Sequence, residues 1–271
     1  MRIFSKAIFL LLFTVLVPSL SEARSEPKLD KMYCCQNKKT VCCCVSSPKH
    51  LPSWYMDVGL GWVFNQKLGA SYLANIDLPL DQYNSPKVNQ VMMGALSGGY
   101  VWSRRTAWLP FTSLGFEYSY DMPAKVKGVI EEFSDPEQTN FKYKYKVDHH
   151  NLRLIGKADL YRWQNLMPYV SAGMGVSWNR FSDYSEQAIS ELPSPRPNPA
   201  FTNKTESNFS YSLGTGLDYI FNKNLWGGLG YRYDHFGWGK TGDTNAEFAD
   251  KSLKNTSRAH TIILSLRYLF G

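Results

Sequence analysis

Eight segments between Ser53 and the C-terminus alternate residue by residue between apolar side chains and polar or small ones. A period of two is typical of β-strands whose two faces meet different environments. Each segment exceeds the roughly 9–11 residues that a tilted strand needs to cross a bilayer. The predicted strands are Ser53–Asn65, Asn89–Trp102, Trp108–Tyr120, Val147–Trp163, Met167–Phe181, Asn208–Phe221, Leu225–Trp238 and Ser257–Phe270.

The connections between these segments alternate strictly between short and long. The short ones are Ser103–Arg105, Gln164–Asn165 and Asn222–Asn224, and the long ones are Gln66–Val88, Asp121–Lys146, Ser182–Ser207 and Gly239–Thr256. A membrane barrel has this alternation, because its tight turns lie on one side of the bilayer and its longer loops on the other. We therefore predict an all-β protein, an eight-stranded antiparallel up-and-down transmembrane β-barrel over residues 53–271.

The N-terminus has the three parts of a cleaved signal peptide. Its basic, apolar and cleavage regions are Arg2 and Lys6, Ala7–Val17, and Ser21-Glu22-Ala23. A membrane-anchoring helix would need about 20 apolar residues, and this run ends at Pro18. We expect residues 1–23 to be removed and residues 24–52 to form a cysteine-rich periplasmic segment.

The cost of a charge in lipid assigns the two faces of each strand. A cationic side chain on the lipid side near the midplane costs about 2–4 kcal/mol, whereas the lumen tolerates it. Charged, glycine and serine positions therefore face inward, except in Val91–Trp102, both faces of which are small and apolar. The inward charged residues are Asp57, Glu117, Asp159 and Asp218, with Arg153, Lys157, Arg232 and Arg267.

Four acids and four bases make this inward set balanced in charge. An eight-stranded barrel is just wide enough for its interior to be filled by side chains, and an unpaired buried charge costs several kcal/mol. We expect the eight residues to form an ion-pair core that plugs the lumen. The alternative is a narrow, gated, porin-like channel in which the ion pairs exchange partners.

The eight tryptophans provide a second indication of a membrane protein, because all lie near strand ends and amphipathic aromatic residues favour membrane–water interfaces. The girdle predicted beside the short turns is Trp54, Trp102, Trp108, Trp163 and Trp226, and the one beside the long loops is Trp62, Trp178 and Trp238. A soluble lipocalin-type barrel has the same alternation with its apolar face inside. The loop alternation, the two girdles and the ending Tyr268-x-Phe270 favour the membrane barrel.

In this pattern, these girdles and this ending, the sequence from Ser53 to Gly271 resembles the OmpA/OmpX-type eight-stranded outer-membrane β-barrels of Gram-negative bacteria. The resemblance implies a periplasmic N-terminus, extracellular long loops, and contact with outer-membrane lipid and lipopolysaccharide. It also implies that the barrel-assembly machinery reads the terminal aromatic residue. Here Phe270 is followed by Gly271, which departs from that signal.

The long connection Asp121–Lys146 has the most distinctive composition. Its acidic patch is Glu131, Glu132, Asp135 and Glu137, and it ends in Lys142-Tyr143-Lys144-Tyr145-Lys146. The alternating run predicts lysines on one strand face and tyrosines on the other. One hypothesis is a strip that binds anionic sugar or lipopolysaccharide phosphate through lysine charge and tyrosine stacking. The alternative is a solvated hairpin above the membrane. The proline-rich Ser182–Ser207 is expected to be mobile.

All five cysteines lie between the signal peptide and the first strand. They are Cys34, Cys35, Cys42, Cys43 and Cys44. An oxidising compartment predicts disulfides, and an odd number leaves at least one thiol free or paired with another molecule. Zinc binding with His50 is an alternative, although the spacing does not match the usual ligand pattern. No cysteine lies at the cleavage point of a lipoprotein.

Three histidine groups are candidates for hydrolase sites that act on lipid A. They are His149 and His150 beside Asp148, His235 beside Asp234, and His260 near Ser257. None has the His-x-Ser arrangement of the lipid A deacylases, so we expect no enzyme and no cofactor. No nucleic-acid motif occurs, and the net charge of +7 suits a phosphate-bearing leaflet. We therefore predict a structural or surface-interaction scaffold whose extracellular loops contact envelope or host ligands.

Overall fold

A computed structural model describes residues 53–68, 71–73, 81–104, 107–189, 200–244 and 252–270. Within them are ten strands: β1 Ser53–Leu68, β2 Ser71–Leu73, β3 Asp81–Val88, β4 Val91–Ser103, β5 Trp108–Glu131, β6 Thr139–Tyr161, β7 Leu166–Ala188, β8 Lys204–Ile220, β9 Leu225–Lys240 and β10 Lys254–Phe270. No helix in these ranges is long and apolar enough to cross a membrane. The predicted signal peptide, the five cysteines and the middle of Ser182–Ser207 lie outside the described residues.

Eight of the strands close into a ring. The order β4-β1-β10-β9-β8-β7-β6 is completed by β5, which pairs with both β4 and β6. Every pairing is antiparallel, and β1 pairs with β10 from Trp54 opposite Phe270 to Leu68 opposite Ser257. The ring confirms the eight-stranded up-and-down barrel predicted from the alternation.

The strands extend further than predicted at the end that carries the long connections. Most of the predicted loop Asp121–Lys146 is strand, and only Glu132–Ser134 and Pro136–Gln138 form short 3₁₀ turns at its tip. Part of the predicted loop Gln66–Val88 is also strand, since β3 pairs with β5 and β2 pairs with β3. We call Asp81–Val88, Ala124–Glu131, Thr139–Val147 and Phe181–Ala188 together the projection.

The projection stays in strand conformation because its inner face is apolar. Its buried apolar side chains join those of Leu68, Phe201 and Leu253 in one cluster. This upper cluster is Leu68, Tyr83, Ala124, Val126, Ile130, Tyr143, Tyr145, Val147, Phe181, Phe201 and Leu253. A second group, the lower cluster, fills the short-turn end of the barrel: Tyr55, Val101, Met167, Trp226 and Leu269. Both ends of the interior are therefore filled by apolar side chains.

A band of exposed apolar side chains covers the outside of the barrel between these ends. Examples on three strands are Leu60 at 63% exposure, Phe116 at 64% and Leu264 at 63%. The ambiguous strand β4 also has an assignable face, because Met93 is 1% exposed whereas Met92 and Leu96 are exposed.

Trp226 departs from the predicted girdle. It is 3% exposed and packs edge-on against Phe111 at a ring distance of 4.8 Å in the lower cluster. Its strand β9 places Trp226, Gly228 and Arg232 on the same inward face, so the side chain fills the lumen. Trp54, Trp62, Trp108, Trp163, Trp178 and Trp238 are exposed on the outside, and Trp102 is half-buried beside Tyr100.

Candidate functional site in the lumen and on the projection

Four charged side chains form a ring near the middle of the lumen, which we call the upper charge layer. Arg153 Nη1 lies 2.5 Å from Asp234 Oδ1 and 3.9 Å from Glu117 Oε1. Arg232 Nη1 lies 2.8 Å from Glu117 Oε1, and Arg232 Nε lies 3.0 Å from Asp234 Oδ2. Each arginine thus contacts both acids. Asp234 was absent from the predicted inward set, yet it holds Arg153 most closely.

A second set of pairs, the lower charge layer, lies towards the short turns. Lys157 Nζ is 2.5 Å from Asp218 Oδ2, and Arg267 Nε is 3.2 Å from Asp57 Oδ2. Each cation also lies over an aromatic ring, Lys157 over Tyr169 at 3.7 Å and Arg267 over Tyr55 at 4.3 Å. Cation–π contacts of this kind add to an ion pair when both groups are desolvated.

More acidic residues face the lumen than the sequence pattern predicts. Asp121 and Asp234 are 3% and 1% exposed inside the barrel. The four inward cations therefore face six carboxylates, and not the four that the sequence predicts. Asp121 is the first residue of the predicted connection Asp121–Lys146, and Asp234 lies beside His235 in the seventh predicted strand. Asp159, which was predicted to pair, has a buried Oδ1 without a hydrogen-bond partner.

A small polar cavity of about 60 Å³ lies between the two charge layers. Its lining includes Asp57, Glu117, Lys157, Arg232 and Arg267. A polar cavity of this size has room for a few water molecules, each of which needs about 10–15 Å³. The charge layers and this cavity form a polar column, which the upper and lower clusters close at its two ends.

A hydrogen-bonded group around His149 lies at the upper end of the column. His149 Nδ1 is 2.8 Å from Asn179 Oδ1, and Asn179 Nδ2 donates to the carbonyls of Phe236 and Trp238 at 2.9 and 3.2 Å. Because carbonyls only accept, the amide orientation is fixed and Nδ1 must donate. His149 Nε2 is therefore the acceptor, with Ser257 Oγ at 3.0 Å and Gln66 Nε2 at 2.9 Å.

This group has the order of a serine, histidine and amide triad, and its members are closed off from solvent. His149, Ser257 and Asn179 are at most 1% exposed. Gln66 donates to both Ser257 and His149, and the Phe236 ring stacks on the imidazole at 4.1 Å. The side chains tie β1, β6, β7, β9 and β10 together across the lumen.

The other histidines weighed as hydrolase sites lie on the outside of the barrel. His260, which was considered with Ser257, instead contacts the Tyr231 hydroxyl at 2.5 Å. His150 contacts the Tyr118 hydroxyl at 2.7 Å, and His235 stacks on Tyr211. Ser257 faces the lumen and contacts His149, so the pairing suggested by chain proximity does not form.

The alternating lysine and tyrosine run divides between the two faces of the projection. Tyr143 and Tyr145 are 4% and 3% exposed inside the upper cluster, where burial raises the pKa of both hydroxyls. Lys142 and Lys144 are exposed outside, and Lys146 is half-exposed. A ligand on the outer face would contact mainly the lysines, because most of each tyrosine side chain is buried on the inner face. Lys146 pairs with Asp183 at 2.7 Å and lowers the pKa of that carboxyl.

Several solved structures are similar to this chain. OprG from Pseudomonas aeruginosa is 14% identical with a TM-score of 0.45, covering 80% of this chain and 95% of that one. Neisserial surface protein A is 15% identical with a TM-score of 0.37, covering 80% and 97%. Ail of Yersinia pestis, in complex with the heparin analogue sucrose octasulfate, is 12% identical with a TM-score of 0.33, covering 80% and 99%.

The sequence comparison is more informative about the family. None of the curated proteins matches this chain. The family model described as "Outer membrane protein beta-barrel domain" matches residues 41–270. The match covers most of the chain and all of the described strands. The protein therefore belongs to the outer membrane protein β-barrel domain family.

Proposed function

We propose that the protein is a closed, non-conducting scaffold that holds the projection outside the cell for contact with envelope or host ligands. In this orientation the long connections are extracellular, and the short turns and the N-terminal segment are periplasmic. The Cys34–Cys44 segment would then lie in an oxidising compartment, where it supports disulfide formation within the chain or with a partner. Phe270, at the end of β10, would serve as the signal to the barrel-assembly machinery.

The observation that carries the proposal is the filled interior. Each of the four lumen cations has at least one carboxylate within 3.2 Å, and apolar clusters lie across both ends of the polar column. A conducting pore needs a continuous aqueous path, whereas separating these buried charges would cost several kcal/mol for each pair. The interior therefore supports the structural role, and the outer surface is left to carry recognition.

Planar-bilayer recordings test whether the barrel is closed. We expect no conductance steps from the refolded full-length protein under applied voltage, with heat-modifiable gel migration as the control that the barrel has formed. Addition of a general porin to the same bilayer checks that steps are detectable. Reproducible steps from the folded protein, altered by Arg153→Ala, would instead indicate the gated channel.

Amine labelling of intact cells tests the orientation. A membrane-impermeant reagent should modify Lys127 and Lys144, which are exposed on the projection, and should leave Lys223 unmodified. Lys223 is the matched control because it is exposed in the short turn after β8. It should react only after the outer membrane is permeabilised. Labelling of Lys223 but not of the projection on intact cells contradicts the proposed orientation.

A further inference from the structure

Lysines cover the outer face of the projection on three neighbouring strands. Lys87 of β3 is opposite Lys127 of β5, which is opposite Lys144 of β6. Directly below this row, Lys125 is opposite Lys146. Like charges directly opposite each other in a sheet are destabilising, so this arrangement lowers the stability of the projection unless an anion lies between the side chains.

The lysines border a shallow, open groove on the outer face of the projection. It measures about 820 Å³ and is bordered by Lys87, Lys127, Lys142 and Lys144, and on β7 by Ser185, Glu186 and Gln187. We call it the lysine groove. Glu186 is the acid at its edge, and its Oε1 already accepts hydrogen bonds from the hydroxyls of Tyr83 and Tyr184.

The inner face makes the lysine groove rigid. Tyr83, Tyr143 and Tyr145 lie in a row beneath it, with ring distances of 5.3 and 6.1 Å. The Asn89 side chain also accepts a hydrogen bond from the backbone of Lys125. Lysines on one strand repeat at about 7 Å, and neighbouring strands are about 5 Å apart. A ligand with several anionic groups at such distances would meet a preorganised array and would not have to order the strands.

The position of the lysines relative to the membrane selects the source of the ligand. His150 is opposite Trp178, which belongs to the predicted girdle beside the long loops. Beyond His150 towards the tip, the lysines follow at four, six and eight residues: Lys146, Lys144 and Lys142. They therefore rise about 13 to 26 Å along the strand from that level. They point sideways, towards the headgroups around the barrel.

The tip of the projection has the opposite charge. Asp135 and Glu137 lie in its 3₁₀ turns, with Glu131 just before them. A polyanion that approached from another cell would meet these carboxylates first and would be repelled. A polyanion anchored in the same leaflet meets the lysines directly.

We propose that the lysine groove binds the phosphorylated sugar headgroups of the lipopolysaccharide that surrounds the barrel in the outer leaflet. This inference rests on the proposed orientation of the projection. Binding would neutralise the opposed lysines and fix the projection against its own membrane. The protein would then be a scaffold that recognises the glycolipid around it through its lateral face, and the tip would remain free.

The test uses the full-length protein in nanodiscs of neutral lipid and deacylated lipopolysaccharide, a soluble probe that keeps the phosphorylated sugars. The test variant is Lys127→Gln/Lys144→Gln, which removes one opposed pair. The matched control is Lys204→Gln/Lys240→Gln, which removes the same charge at the same end of the barrel from lysines that pair with Glu206. Heat-modifiable migration confirms that each variant is folded.

We expect the test variant to bind about 30-fold more weakly, since each lysine beside an anionic membrane surface contributes a factor of about five. The control should bind within about twofold of wild type, and removal of the phosphates should weaken binding to every variant. Equal binding by the test variant, or by the dephosphorylated probe, overturns the proposal. Lysine-dependent binding of heparin, without binding of the deacylated lipopolysaccharide, also overturns the proposal. That result would indicate a sulfated glycan from outside the cell as the ligand. Labelling of Lys223 on intact cells would instead refute the orientation, independently of the affinities.

Discussion

Strand β6 passes through two regions of the molecule whose interiors are built from opposite kinds of side chain. In the lower part of the strand, Arg153 and Lys157 face inward among ion pairs, and Leu152 and Leu154 face outward. In the projection, Tyr143 and Tyr145 face inward among apolar rings, and the lysines between them face outward. The odd-numbered residues point inward in both regions. They are charged in the lower part of the strand and aromatic in the projection.

The environment outside the strands therefore decides which side chains fill the interior. Where lipid surrounds the barrel, apolar side chains face outward and the polar ones must pair with each other in the lumen. Where water surrounds it, the arrangement is that of a soluble barrel with an apolar core. The exchange occurs between Val147 and Asn151, close to the aromatic residues His150 and Trp178, so this stretch marks where β6 leaves the bilayer.

Breaking one buried ion pair should have the largest effect on stability. Lys157→Met or Asp218→Leu alone leaves a charge unpaired in the lumen, and each should lower the free energy of unfolding by about 3–5 kcal/mol. The double variant should lose less than either single change, because an apolar pair replaces an ion pair of similar volume. Urea unfolding in lipid vesicles measures the four states of the cycle.

The pair Lys146–Asp183 of the projection is the matched control for that cycle. It is equally close, at 2.7 Å, but both side chains are about half exposed to solvent. Because water and salt screen such a pair, Lys146→Gln should leave the unfolding transition nearly unchanged. If the exposed pair matters as much as Lys157–Asp218, the proposed contrast between the two regions fails.

Removing an aromatic ring from the projection should have a smaller and more local effect. Tyr145→Ala deletes a buried side chain that stacks on Tyr143 and accepts a hydrogen bond from Asn255. We expect the β5 and β6 parts of the projection to lose about 3 kcal/mol of local stability. Amide hydrogen exchange measures this loss, and it should become faster in Ala124–Glu131 and Thr139–Val147.

The amides of the membrane-spanning strands provide the internal reference for that experiment. Their exchange should stay slow, because the ring contacts of Tyr145 are with Tyr143, Phe181 and Tyr184 of the projection. Lys142→Ala, at an exposed outward position opposite Val129 and Gln187, should leave exchange in both regions as in wild type. Acceleration throughout the barrel would show that the projection and the barrel unfold as one unit.

The sequence was sufficient for the part of the fold that lipid constrains. A charge in lipid is so costly that residues such as Asp57, Arg153 and Arg267 can only face inward, and this fixed the faces of their strands. The same cost is absent beyond the membrane. The alternation of Lys142 to Lys146 therefore revealed two faces without showing that the tyrosine face is the buried one, nor that the strands continue.

The errors have local physical causes. The residue type of Trp226 and its place at a strand end predict a girdle position, although the glycines on its face leave room for its ring in the lumen. Asp234 was considered with its neighbour His235 and not with its own inward face. Beyond it, Gly237 adopts a φ of +77° at a bulge that returns Trp238 to the outside, and pattern reading has no signal for that shift.

The seam between β1 and β10 has a consequence for the order of assembly. The first and last strands of the ring pair with each other from Trp54 opposite Phe270 to Leu68 opposite Ser257, so neither edge is satisfied until the final strand is in place. In lipid an open edge would leave a row of backbone groups without hydrogen-bond partners. The barrel therefore cannot enter the bilayer one hairpin at a time, and its insertion and its closure must be completed together.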